Sequence, residues 1–96
     1  MRKPEHFGKI HAVSDFGAAV RAGRKAAGMR VVDACALAGV SIQTLTDIEA
    51  GKPSVSIGKI MDVADSLGIS FFSVSANDRH IVERELPKMI SRSDDK

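Results

Sequence analysis

Apolar positions along the chain recur at helical spacing, broken at short intervals by glycine, serine or proline. At 100° per residue, Phe16, Ala19, Val20, Gly23 and Ala27 share one stripe, with Arg21 and Lys25 off it. This predicts a first helix that opens after Ser14 as N-cap, with Asp15 in its first turn, and stops at Gly28. A short second helix over Val31–Ala38 is rich in small residues and ends at Gly39. Ser41 caps a third over residues 42–50, with Leu45 and Ile48 as its inward pair and Gly51 and Pro53 closing it. Ser56 caps a fourth over residues 57–67, whose stripe is Ile57, Ile60, Met61, Ala64 and Leu67. Residues 69–75 are β-branched and aromatic and read as a strand, with Phe71, Phe72 and Val74 in it. A weak last helix over residues 78–86 is stopped by Pro87. The expected fold class is all-α, a bundle of four to five helices with a short C-terminal strand.

Composition narrows the class. At 96 residues the chain makes one small domain, too short for a dinucleotide-binding sheet with a substrate domain or for an eight-unit barrel. There is no Trp or Tyr, so the core must be aliphatic. A core that small supplies only about 3–5 kcal/mol of net stability, which makes dimerisation expected. The single Cys35 excludes an internal disulfide framework and a cysteine-rich zinc site, and suits a reducing cytoplasm. His6, His11 and His80 stand apart from any Cys or Glu cluster, so no metal is expected. No apolar run nears the roughly 18 residues that span a bilayer, and no apolar stretch follows Arg2 and Lys3 as in a signal peptide.

Charge is distributed unevenly. The net +2 lies wholly in residues 1–12, where Arg2, Lys3 and Lys9 face Glu5 alone. Residues 1–13 therefore read as a basic arm able to follow nucleic-acid phosphates, or as a solvated terminus. Residues 14–69 form the helical domain, and residues 70–96 a strand and tail for dimerisation or partner contact. No nucleophile–base–acid set is apparent. Cys35 sits on a helix interface, Asp62 and Asp65 lie opposite an apolar stripe, and no glycine-rich loop joins a strand to a helix. Neither catalysis nor a cofactor is expected.

The informative stretch is the second helix, Gly39 and the third helix. Two short helices joined by a glycine-containing turn of about three residues make a helix-turn-helix. Ala34, Cys35 and Ala38 permit close packing, and Gly39 can take the positive φ of the turn. With Leu45 and Ile48 inward, the third helix shows Ile42, Gln43, Thr46, Asp47 and Ala50 to solvent. In a DNA-bound motif this face enters the major groove. Gln43 can pair with adenine, Thr46 or Ile42 can touch a thymine methyl, and Asp47 can accept from cytosine. The alternative is that this is one more exposed amphipathic helix. Phosphate contacts would come from Arg21, Lys25, Arg30, Ser41, Lys52 and Lys59.

Three segments carry a family resemblance: Phe16-Gly17-x-x-Val20-Arg21-x-x-Arg24-Lys25-x-x-Gly28-Met29, Ala38-Gly39-Val40-Ser41, and Leu45-Thr46-Asp47-Ile48-Glu49-Ala50-Gly51-Lys52-Pro53. The chain resembles the Xre, or phage-repressor-like, helix-turn-helix family. The continuation through Pro53-Ser54 to Leu67-Gly68-Ile69 is similar to its HipB-type antitoxin and regulator subgroup. The resemblance covers about residues 14–72. It implies a lambda-repressor-like fold, a repressor that binds double-stranded DNA as a homodimer on a palindromic operator, and a strand after the fourth helix that pairs with the dimer mate. It also implies a structural pair between Arg24 and Glu49. The alternative it implies is an antitoxin whose main partner is a HipA-like kinase toxin. Two departures stand out: Arg30-Val31 replaces the usual Thr-Gln, and Asp47 stands where a basic residue is usual.

Overall fold

The computed structural model describes residues 9–94, which fall into two compact units, one of residues 9–70 and one that begins at Phe71. Residues 1–8, the greater part of the expected basic arm, lie outside the described residues. The first unit holds four helices: α1 (Val13–Ala26), α2 (Val31–Ala38), α3 (Ile42–Glu49) and α4 (Ile57–Ser66). The second holds α5 (Arg79–Asp94). Among the described residues no single helix is long and apolar enough to cross a membrane.

The first unit closes on a small aliphatic core. Val20, Leu45, Ile48, Ile60 and Val63 are its largest fully buried side chains, filled in by Ala19, Ala34, Cys35 and Ala64. Each helix contributes to it, so none buries its stripe alone. The approach of α1 to α3 is especially tight. A Cβ on Gly17 would overlap the Ile48 carbonyl oxygen, so only glycine lets the two backbones meet there.

Local capping explains most boundaries. Ser41 Oγ accepts from the Thr44 amide at 3.1 Å, and Ser56 Oγ accepts from the Lys59 amide at 3.2 Å, fixing the starts of α3 and α4. At α1 the expected cap is corrected. The helix begins at Val13 after Ala12, and Ser14 sits inside its first turn. The Asp15 carboxylate reaches back to accept from the amides of His11 at 2.8 Å and Ala12 at 3.0 Å, doing what a serine cap would do.

Other expectations are also revised. The α4 core face runs through Ile60, Val63 and Ala64, while Ile57 and Met61 are exposed. On the helical wheel Val63 flanks Ile60 on one side and Met61 on the other, and hydrophobicity alone cannot tell which flank packs. Ala27 is exposed just past the end of α1, and Arg24 is buried on that face instead. Among the described residues 69–75 are not paired as a strand, since an extended segment becomes one only where a neighbour completes its ladder. Finally, α5 runs through Pro87. Proline removes one backbone bond and crowds the preceding turn. Here the helix-favouring run Glu83–Leu86 precedes it, with side-chain pairing from Glu85 to Arg84 at 2.8 Å and to Lys88 at 3.9 Å.

Replacing Gly17 with alanine forces α1 away from the α3 backbone. The expected loss is about 1–3 kcal/mol of unfolding free energy, measured by urea denaturation against wild type. An unchanged midpoint would mean that the close approach is not needed.

Candidate nucleic-acid interface

The interface is built from the turn outward. Gly39 takes φ 70°, a left-handed value that lets α2 end and the chain reverse within the three residues 39–41. The axes of α2 and α3 then differ by 109°, inside the range of helix-turn-helix units. Cys35, almost fully buried, donates its thiol hydrogen to the Ser41 carbonyl at 3.5 Å and ties the end of α2 to the start of α3.

Two features hold α3 in place. Leu45 and Ile48 are 0% and 1% exposed. At its C-terminal end Glu49 grips Arg24 of α1 through two parallel bonds, Nε to Oε2 at 2.7 Å and Nη2 to Oε1 at 3.0 Å. Arg24 also donates from Nη1 to the Met29 carbonyl at 2.9 Å, which captures the loop between α1 and α2. Hydrogen bonding to Glu49 raises the Arg24 pKa, against an opposing effect of desolvation. The guanidinium is therefore charged at any working pH.

The opposite side of α3 faces solvent. Ile42 is 56% exposed, and Gln43 and Thr46 are exposed beside it. Asp47 is not a free carboxylate. Its Oδ1 accepts from Gln43 Nε2 at 2.8 Å and pairs with Lys52 Nζ at 3.2 Å. These two partners, Gln43 first, hold its pKa below the usual carboxylate value. The structure thus brings Gln43, Asp47 and Lys52 into one chain of polar contacts.

The remaining candidates are placed individually. Arg30 forms a fork with Asp33, Nε to Oδ2 and Nη2 to Oδ1, both at 3.1 Å. Asp33 also accepts from the Arg30 amide at 3.2 Å, as a helix-start reach-back. Its pKa is lowered by the Arg30 side chain and then by that amide. Ser41 is engaged at the helix cap and donates its hydroxyl to Thr44 Oγ1 at 3.0 Å. Arg21, Lys25 and Lys59 are exposed and make no ion pair among the described residues. Among the described residues no cluster of His, Cys, Asp or Glu has the makings of a metal site. Sequence reasoning missed Asp33, Thr44 and the Met29 carbonyl. The i,i+3 spacing of Arg30 and Asp33 and the i,i+4 spacing of Gln43 and Asp47 were the available signals.

This geometry defines a helix-turn-helix domain with an outward second helix. A family model described as a helix-turn-helix domain matches residues 15–70, and the chain belongs to that family. It is 37% identical over 71 residues to the uncharacterized HTH-type transcriptional regulator y4mF of Sinorhizobium fredii, a match spanning 74% of this chain and 93% of that relative. Among solved structures it is similar to the HipB–O4 20mer complex, with a TM-score of 0.65, 18% identity, and 73% of this chain and 99% of that one covered. It is likewise similar to the chain in the HipA–HipB–O2–O3 complex, with a TM-score of 0.65, 17% identity and the same coverage. At these identities the likeness to the solved structures is one of fold.

The Arg24–Glu49 pair gives a direct test of what holds α3. Glu49→Ala strands a buried guanidinium and is expected to cost roughly 3 kcal/mol. The double change Arg24→Met with Glu49→Leu removes both charges and is expected to cost less than the single one. Guanidinium unfolding of the three proteins checks the order.

Proposed function

We propose that the protein is a DNA-binding transcriptional regulator, a repressor that acts as a homodimer on a palindromic site. One observation carries the reading: α3 is pinned by Leu45, Ile48 and Glu49, so Ile42, Gln43 and Thr46 stand together on its free side. That side fits the major groove. Gln43 presents an amide to adenine, and Ile42 and Thr46 present methyl groups to thymine. Arg21, Lys25 and Lys59 supply phosphate contacts with their charges unengaged, while Arg30, Ser41 and Lys52 do so from within their present bonds. The transcriptional regulator named as a relative and the fold shared with the HipB–O4 20mer complex support this reading.

The dimer uses residues 71–75. Phe72 is 91% exposed and Val74 is 45% exposed, an arrangement suited to a segment that gains its strand partner from a second copy. Phe71 lies in the same segment. Two-fold symmetry would set two copies of α3 about 34 Å apart, one DNA turn. The antitoxin reading adds a HipA-like kinase as a second partner of the same dimer. It leaves the DNA-facing role of α3 unchanged.

Binding to the DNA upstream of the chain's own gene is expected to weaken steeply with salt, log K falling by about 0.9 for each phosphate neutralised. In the same fluorescence-anisotropy titrations Gln43→Ala is expected to lose roughly 1–3 kcal/mol on that DNA and little on scrambled DNA. A flat salt titration would sink the reading, and equal losses on both duplexes would remove Gln43 as reader.

Phe72→Glu places a charge in the proposed dimer seam. It is expected to shift the protein toward monomer in sedimentation velocity and to weaken binding to a two-half-site duplex far more than to a half-site. A dimer of unchanged stability would place the interface elsewhere.

A further inference from the structure

The contact between Gln43 and Asp47 has a consequence for which base is chosen. A glutamine amide is ambivalent, since its oxygen and nitrogen can exchange places by rotation about the last side-chain bond. An ionised carboxylate can only accept. With Asp47 Oδ1 at 2.8 Å, the nitrogen must face Asp47. Asp47 is itself held by Lys52 at 3.2 Å from the segment that follows α3. One of the two Nε2 hydrogens is thereby committed, leaving one donor and the carbonyl acceptor for an outside ligand.

The purines differ in what they ask of such a group. Adenine shows an acceptor at N7 and a donor at N6 in the major groove, and guanine shows acceptors at both N7 and O6. A free glutamine can turn both hydrogens toward guanine. A glutamine with one hydrogen taken cannot, and its oxygen then opposes guanine O6. We propose that Asp47 is a positioning residue which, anchored by Lys52, holds the Gln43 amide in the donor-plus-acceptor state and so selects adenine over guanine at the base Gln43 faces. This rests on the DNA-reading role of α3. It also replaces the direct reading of cytosine by Asp47 with an indirect role through Gln43.

The variant of choice is Asp47→Asn, which keeps the shape. An asparagine can donate as well as accept, so both orientations of Gln43 become satisfied. The first measurement needs no DNA. In amide-proton NMR of the free protein, one Gln43 side-chain proton is expected downfield of the position it takes in an unstructured peptide, and that displacement is expected to shrink in Asp47→Asn. Unstructured-peptide positions for both protons in wild type would overturn the proposal whatever the protein binds.

The second measurement is selection from a randomised duplex pool with wild type, Gln43→Ala and Asp47→Asn, each checked for an unchanged melting temperature. Wild type and Gln43→Ala together identify the position that Gln43 reads. There, Asp47→Asn is expected to reduce the adenine-to-guanine ratio by about tenfold while leaving other positions unchanged. An unchanged ratio at that position, or a change only at a neighbouring cytosine, would overturn the positioning role while leaving the DNA reading intact. Enrichment of no sequence by wild type would instead overturn the DNA reading and the proposal with it. Lys52→Met is the confirming arm, with a smaller drop in the same ratio expected because Asp47 keeps its contact to Gln43 but loses its anchor.

Discussion

The grip of Glu49 on Arg24 is the interaction on which the arrangement of the domain depends. It joins the first helix to the last turn of α3, and the third bond of Arg24, to the Met29 carbonyl, fixes the loop that leads into α2. One guanidinium therefore sets the relation of three elements. The side chains of the pair are only 10% and 11% exposed, so each charge is a liability without the other. Burying such a pair adds little net stability compared with an apolar replacement. What it does supply is geometry, because two parallel bonds to a planar carboxylate admit one register of α3 against α1 and exclude a rotated one. Gly17 makes that register possible by letting the α3 backbone come close enough for the reach.

Once α3 is clamped, its exposed side follows from helical geometry. Leu45 and Ile48 point into a core that contains no aromatic side chain among its fully buried members. A core of that kind is shallow, and a short helix lying on it would slide or roll if packing alone held it. The clamp at the C-terminal end, the Ser41 cap at the N-terminal end and the Cys35 thiol on the Ser41 carbonyl constrain both ends at once. On the proposed reading, a face that meets a rigid groove needs that constraint more than it needs extra burial.

The elements that were legible in sequence are those whose signals are local. The spans of α2 and α3 follow from Gly39, Ser41 and Gly51, because a left-handed glycine and a serine cap act on the backbone nearest them. The Leu45 and Ile48 pair was legible for the same reason, since two large apolar residues three apart in an eight-residue helix leave little choice of face. The errors arose where the deciding partner is distant or absent. Whether Val63 or Met61 packs inward is decided by the neighbours of α4, not by α4 itself. Whether residues 69–75 become a strand is decided by a pairing edge that lies outside the segment itself. Ser14 looked like the cap, but Asp15 satisfied the free amides from inside the helix. Pro87 looked like a stop, yet its local cost did not outweigh the helix-favouring residues around it.

Asp47 shows why composition is a poor guide to a binding face. Counted as a charge, it opposes phosphate and argues against DNA. Placed in the structure, it is matched by Lys52 and occupied by Gln43, and the cause of its lowered pKa is the presence of those same partners. A neutralised acid of this sort costs less long-range attraction than its formal charge suggests, because the opposite charge 3.2 Å away cancels most of its field beyond a few ångströms. What falls is the pull of Lys52 on any phosphate, regardless of sequence, because part of its charge is answered by Asp47. Discrimination between partners depends on the difference of two affinities, so a device that lowers both but lowers the wrong one more is a gain. On the proposed reading the outward face of α3 is built in that sense: the charge of Asp47 is answered within the protein, and what the face offers outward is shape and hydrogen-bonding pattern.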